Sequence, residues 1–191
     1  PIIVDGKYTK EHHIKTFRHI AEELDGKTTL VAFGFLDLYP KLEKNHPELK
    51  DCDDQTKIEI TKAFQEIAKE HGMELRLCSK EKWLGEYGVD IDGCMRVKDY
   101  ERSIDGKLDV KQKMEARKSF CACYLSNDIG AYNSCLHLCK YCYANGSEAT
   151  IRKNYAEHDD DSPLLLGHVK DDDKIREAKQ ESFLDKRVTL F

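Results

Sequence analysis

The chain has 191 residues, of which 40% are apolar and 35% are charged, and its formal net charge is −5. This length allows one domain with its own core. No apolar run approaches the roughly 20 residues that a transmembrane helix needs, and the start shows no signal peptide, so we expect a cytoplasmic protein without a membrane partner. The net acidity gives no indication of an extended nucleic-acid interface.

The first half of the chain alternates apolar runs typical of strands with the apolar spacing typical of helices. A strand end is expected at 2–4, and a helix follows that Thr9 caps and that ends at 25–26. The run 28–36 is almost continuously apolar, which predicts a strand buried on both faces of a parallel sheet. The apolar face of the helix is predicted to comprise Ile14, Phe17, Ile20, Ala21 and Leu24.

A second helix and a third strand follow a polar connection. Residues 40–53 contain two prolines and are predicted to form that connection, and Asp53 or Asp54 is expected to cap the helix, which ends at 71–72. A strand is predicted over 74–78. The apolar face of this second helix is predicted to comprise Ile58, Thr61, Phe64, Ile67 and Ala68.

The strand–helix order predicts an α/β fold of parallel βα units. Because three strands cannot close a barrel, we expect either an open sheet or part of a (β/α)-barrel-like fold. Residues 1–116 are assigned to this βα-repeat portion, and 117–191 to a cysteine-rich cap with a C-terminal helix. That helix is predicted to start at 171–173 and to carry Ile175, Ala178 and Phe183.

Five of the eight cysteines lie within 117–145, which suggests a metal site. They are Cys121, Cys123, Cys135, Cys139 and Cys142. Thiolates select zinc, copper(I) or iron–sulfur clusters. A structural zinc site would use the Cys139–Cys142 pair, but Cys121 and Cys123 are closer together than a usual second pair.

An iron–sulfur cluster is the alternative to zinc. The last three cysteines are spaced Cys-x3-Cys-x2-Cys, which one irregular loop can wrap around a cluster. A fourth thiolate from Cys121 or Cys123 would complete an all-cysteine cluster for electron transfer. Without it, one iron would stay open for a small molecule.

This spacing, with Tyr141 before the last cysteine, resembles the cluster motif of radical S-adenosylmethionine enzymes. The resemblance implies a [4Fe–4S] cluster on Cys135, Cys139 and Cys142 whose open iron binds S-adenosylmethionine. It also implies that Tyr141 lies near the adenine and that a 5′-deoxyadenosyl radical attacks a substrate, small or macromolecular, that the sequence does not name. In that superfamily, however, the motif follows the first barrel strand, whereas here it lies late in the chain.

The chain as a whole resembles the second half of a prokaryotic family catalogued as domain of unknown function 1848. The resemblance rests on Pro1-Ile2-Ile3, Tyr8-Thr9, His13, Phe17, the segments around Cys78 and Cys94, Cys121, Cys123, Ser126, Asp128-Ile129-Gly130, Tyr132, Cys135, Cys139, 141–145, His158-Asp159 and 162–165. It implies a missing N-terminal portion, which fits a chain that begins with Pro1 rather than methionine. Ala122 and Leu138 stand where this resemblance implies glycine.

Several other residues have two interpretations each. Cys78 and Cys94 are either further ligands or small buried apolar residues. His137 is either a ligand or an exposed loop histidine, and 128–130 either orient the cysteine loop or form a simple turn. Asp37 follows a predicted strand and is a site candidate or a turn former.

Overall fold

A computed structural model describes residues 1–78, 80–110, 130–177 and 182–187. The chain forms two compact units. The described residues of the first unit lie in 1–38, 48–110 and 183–187, and those of the second in 39–47, 130–177 and 182. The predicted ligands Cys121 and Cys123 lie outside the described residues, as does Ala122.

The described residues contain two strands and a set of short and medium helices. In chain order they are α1 (Lys10–Glu23), β1 (Leu30–Phe33), α2 (Pro40–Asn45), α3 (Asp54–Glu70), β2 (Glu74–Leu77), a 3-10 helix (Lys82–Tyr87), α4 (Val97–Ile104) and α5 (Glu148–Ala156). Within the described part of the chain, no helix has both the length and the apolar character needed to cross a membrane.

The sheet of the first unit is parallel. Strands β1 and β2 pair with Leu30 opposite Glu74 and Phe33 opposite Leu77. Single parallel bridges add Ile2 beside Phe35 and Asp90 beside Arg76, so that four chain segments run in the same direction. The predicted parallel arrangement is therefore confirmed on a small scale, but the described residues show a two-stranded sheet and no barrel.

The two long helices begin where the sequence predicts. The Thr9 hydroxyl accepts a hydrogen bond from the backbone N–H of His12 at 3.3 Å, and α1 follows. The Asp53 carboxylate accepts from the N–H of Thr56 at 2.9 Å, and α3 follows. Each cap satisfies a backbone donor that the first helical turn leaves without a partner.

Aromatic stacking joins these helices to the sheet. The rings of Phe17 in α1 and Phe64 in α3 stack with centroids 4.2 Å apart, and Phe64 lies 5.5 Å from Phe33 of β1. Ile20 and Leu24, predicted on the apolar face of α1, are instead exposed, because the buried face is narrower and includes Phe17 and Ala21. The core of the first unit comprises Ile2, Phe17, Ala21, Phe33, Phe35, Ile60, Phe64, Ile67, Ala68, Met73, Leu75, Leu77, Leu84 and Val89.

A buried arginine links β2 to α4. The side chain of Arg76 is 0% exposed, and its guanidinium donates to the two carboxylate oxygens of Asp99 at 2.5 and 3.0 Å. It also donates to Glu74 at 2.8 Å. The hydrogen bond from Arg76 holds the pKa of Asp99 below its usual value of 3.8. A buried guanidinium needs such partners, since an unpaired buried charge is strongly destabilising.

Three segments differ from their predictions. The connection 40–53 contains helix α2, which Pro40 starts because its fixed φ suits a first helical position. The polar segment after Gly146 contains α5, which Ser147 caps. The predicted C-terminal helix is wrong for 171–177, where the chain is irregular and Ile175 is 79% exposed. Phe183 also lies outside any helix, and Ala178 is outside the described residues.

Replacing Asp99 with asparagine is expected to lower the free energy of unfolding by about 2–3 kcal/mol, because it removes the main partner of a buried cation while Glu74 remains. The Asp99 carboxylate stabilises the fold at neutral pH, since its pKa is lowered in the folded chain. The difference between the parent chain and Asp99→Asn should therefore shrink as the pH falls below 3.8. Urea denaturation of both proteins at several pH values measures this difference in the free energy of unfolding.

The matched control is Asp105→Asn. Asp105 is exposed at the end of the same helix, and asparagine accepts its left-handed backbone equally well. This variant should stay within about 0.5 kcal/mol of the parent chain. Equal effects of the two substitutions would contradict a stabilising role for the Arg76–Asp99 pair.

Candidate cysteine-loop site

Three of the predicted ligands lie on one irregular loop of the second unit, between 130 and 146. Cys135 and Cys139 are exposed and Cys142 is half-buried, and none of the three is in a disulfide. The N–H of Cys142 donates to the carbonyl of Cys139 at 3.0 Å, which closes a tight turn between the last two cysteines. The loop leads directly into the capped start of α5.

Asn145 ties the end of the loop to its middle. Its side chain is largely buried and its amide Nδ2 donates to the carbonyl of Cys135 at 2.8 Å. The sequence predicts a turn at Asn145 and Gly146 but gives no sign of this hydrogen bond. The amide thereby holds the backbone of Cys135 close to the segment that follows Cys142.

Asn133 closes the other side of the loop. Its backbone N–H donates to the carbonyl of Ala144 at 3.0 Å, and its side-chain oxygen accepts from the N–H of Gly146. Its own carbonyl accepts from Nδ2 of Asn154 in α5 at 3.1 Å. Sequence reasoning missed Asn133; the one usable signal is that asparagine tolerates the left-handed backbone found here, with φ of 59°.

Residues of α2 complete the support. The ammonium group of Lys41 donates to the carbonyl of Cys142 at 3.1 Å and to the carbonyl of Asn145. The ring of Tyr39 lies edge-on to Tyr141, with centroids 5.6 Å apart. Burial, followed by the proximity of Tyr141 and Cys142, raises the pKa of Tyr39 above its usual value. These contacts span about a hundred residues of sequence, so no local pattern could reveal them.

Leu138 occupies an unfavourable backbone conformation. Its φ is +49°, in the left-handed region where glycine carries no side-chain penalty. This is a position where the family resemblance implies glycine, and the geometry supplies the reason. Leu138 is also 39% exposed.

The surface of the loop is unusually apolar for an exposed segment. Leu136, Leu138, Tyr132 and Tyr143 are all exposed, and the rings of Tyr132 and Tyr143 meet at 6.2 Å. His137, the polar residue between Leu136 and Leu138, is exposed as well. Exposed apolar side chains that cluster on one surface commonly mark a binding surface.

The donor set fits an iron–sulfur cluster in chemical type, since three thiols share one loop. Across the described ranges, no three His, Cys, Asp or Glu side chains gather closely enough to hold a metal ion. The loop therefore supplies three thiols on a fixed backbone but, within the described residues, no preformed metal geometry. Binding would have to draw the thiols together, as is common for metal sites that order on binding.

The other candidate residues lie in the first unit. Cys78 is exposed and therefore does not fit the interpretation as a buried apolar residue, and its sulfur is 3.3 Å from that of Cys94. Asp37, which follows β1, forms an ion pair at 3.4 Å with Lys80, which follows β2. Cys52 packs against the apolar core, and burial, followed by the charge of Asp51, raises its pKa to about 11.

Replacing Leu138 with glycine is expected to stabilise the second unit relative to Leu138→Ala by about 1 kcal/mol. Both variants lose the same side chain beyond Cβ, but only glycine relieves the left-handed strain. Hydrogen exchange of the amides of Cys142 and Asn133, which are hydrogen-bonded within the loop, measures the local difference. Equal protection in the two variants would show that no strain is stored at Leu138.

Comparison with known protein families shows to which family the chain belongs. The family model described as Domain of unknown function (DUF1848) matches residues 1–144. That range includes all eight cysteines. Neither the curated proteins nor the solved structures include a match. Because the matched range covers most of the chain, the protein belongs to the family described as Domain of unknown function (DUF1848).

Proposed function

We propose that this protein binds a [4Fe–4S] cluster through Cys135, Cys139 and Cys142 and acts as a radical S-adenosylmethionine-like enzyme. The observation that carries the proposal is that three thiols, none in a disulfide, stand at Cys-x3-Cys-x2-Cys spacing on one loop with a fixed backbone. This spacing resembles the cluster motif of radical S-adenosylmethionine enzymes, whereas a structural zinc site takes four protein ligands.

The surroundings of the loop support an anionic cluster. Lys41 holds a positive charge against the backbone of Cys142, and hydrogen bonds from the chain fix the direction of the loop carbonyls. The exposed Leu136 and Leu138 could fold over a bound cluster and exclude water. Burial and nearby hydrogen bonds are the means by which proteins adjust such clusters.

Tyr141 is the proposed contact for the adenine of S-adenosylmethionine. Its ring is half-buried and rests edge-on against Tyr39, so α2 restricts where it can point. A bound cluster with S-adenosylmethionine would supply radical chemistry directed at a hydrogen atom of a substrate. The chain's own contribution is to hold the thiols, to orient Tyr141 and to keep the site apolar.

We also propose that the first unit belongs to a (β/α)-barrel-like sheet. The four parallel segments, at Ile2, β1, β2 and Asp90, and the helices α1 and α3 that connect them support this arrangement. In barrels of this kind, sites form at the carboxyl ends of the strands.

The cluster is tested by anaerobic reconstitution with iron and sulfide. The parent chain is expected to bind about four irons and four sulfides and to show the absorbance of a [4Fe–4S] centre. Cys139→Ala should lose most of this iron because it removes one of three ligands. Cys52→Ala is the matched control, since Cys52 packs against the core of the other unit, and it should bind iron like the parent chain.

Metal analysis decides between the cluster and zinc. A colourless protein with one tightly bound zinc and no iron after reconstitution would contradict the proposal. If the cluster forms, S-adenosylmethionine should change its electron paramagnetic resonance spectrum after reduction. No change, with loss of the cluster in Cys121→Ala or Cys123→Ala, would indicate an all-cysteine centre for electron transfer instead.

A further inference from the structure

Two thiols of the first unit are in contact. The sulfur atoms of Cys78 and Cys94 are 3.3 Å apart, although sixteen positions separate them in the sequence. Cys78 follows β2, and its N–H donates to the carbonyl of Phe33 at 2.7 Å. Cys94 follows the parallel bridge at Asp90. Both therefore lie at the carboxyl edge of the parallel segments, where open α/β sheets usually place their sites.

The turn that carries Cys94 is fixed by several contacts. The carbonyl of Asp90 accepts from the N–H of Leu77 at 2.8 Å, which aligns this segment with β2. The guanidinium of Arg96 donates to the carbonyl of Gly93 at 3.2 Å and pairs with Asp90. Gly93 is buried with φ of 100°, a backbone conformation that glycine adopts readily. The contact between the sulfurs thus arises from backbone placement at both residues.

We propose that Cys78 and Cys94 form a redox-active dithiol that undergoes exchange with a small-molecule disulfide. Cys78 is exposed and Cys94 is half-buried, so Cys78 reacts first. A disulfide requires a sulfur–sulfur distance of about 2.0 Å. The two sulfurs need only a small side-chain movement to reach it.

The reaction balances without any further reagent. The thiolate of Cys78 attacks one sulfur of the small disulfide, which forms a mixed disulfide and releases one small thiolate that takes up a proton. The thiolate of Cys94 then attacks the sulfur of Cys78, forms the Cys78–Cys94 bond and releases the second small thiol. Two protein thiols are oxidised, and one small disulfide is reduced to two thiols.

This dithiol is independent of the proposed cluster. Cys135, Cys139 and Cys142 belong to the second unit, and the exchange needs none of them. Cys52 is the contrasting thiol of the first unit, because it packs against the apolar core and burial raises its pKa to about 11. Trp83 and Tyr87 have side-chain rings 6.2 Å apart. Both residues lie between Cys78 and Cys94 in the sequence, inside the loop that the new disulfide would close. The fluorescence of Trp83 is therefore a reporter of the reaction.

The test treats the reduced full-length chain with glutathione disulfide under anaerobic conditions. Peptide mapping by mass spectrometry after acid quenching is expected to show the Cys78–Cys94 disulfide as the main product. In Cys94→Ser the glutathione adduct on Cys78 should accumulate at least about tenfold above the parent chain, because the neighbouring thiol that displaces it is gone. Cys52→Ser is the matched control and should give the parent product pattern.

Either of two results would overturn the proposal. One is that Cys78 and Cys94 both remain thiols while the exposed Cys135 and Cys139 take up glutathione. The other is that Cys78 pairs with a different cysteine. The mapping of the parent chain decides this without any variant, so a serine substitution that fails to fold would not obscure the result.

Discussion

The parallel pairing of β1 with β2 is the constraint on which the first unit depends. A parallel pair needs a crossover, and α3 supplies it between the two strands. This helix brings Phe64 against Phe17 and Phe33, so that one aromatic cluster joins two helices to the sheet. The same pairing directs all strand ends to one edge. The parallel bridge of Asp90 to Arg76 of β2 extends this arrangement, so that Cys78 and Cys94 follow neighbouring segments at that edge.

The first unit combines this apolar core with a buried ionic connection. Arg76 lies in β2, where the residues on either side of it are apolar. The cost of burying its charge is offset by ion pairs with Asp99 of α4 and with Glu74. Asp99 also accepts from the N–H of Arg96 at 3.1 Å, and Arg96 in turn holds the carbonyl of Gly93. A chain of charge-assisted hydrogen bonds therefore runs from the sheet to the turn that carries Cys94. The contacts that stabilise the first unit therefore also position the turn that carries Cys94.

The cysteine loop of the second unit is held mainly by hydrogen bonds. Asn145, Asn133 and Lys41 bind backbone carbonyl and N–H groups of the loop, while its apolar side chains stay exposed. Such a loop has a defined path, but its described thiols do not converge on one point as they would around a metal ion. A metal cluster could supply the missing convergence, because ligand binding and ordering are thermodynamically linked. The left-handed backbone of Leu138 marks where the loop is least relaxed.

Features that arise from residues close together in the chain could be predicted before the fold was known. The caps at Thr9 and Asp53 are hydrogen bonds between residues three positions apart. The strands near Leu30 and Leu75 follow from short apolar runs. The family and the spacing of the last three cysteines can likewise be recognised from the order of residues in the sequence. Contacts between distant residues could not be predicted in this way: the hydrogen bond of Lys41 to the loop, the burial of Arg76, and the contact of Cys78 with Cys94. The predicted C-terminal helix failed over 171–177 for the same physical reason, since helical spacing stabilises a helix only where another surface buries its apolar face, and Ile175 has none.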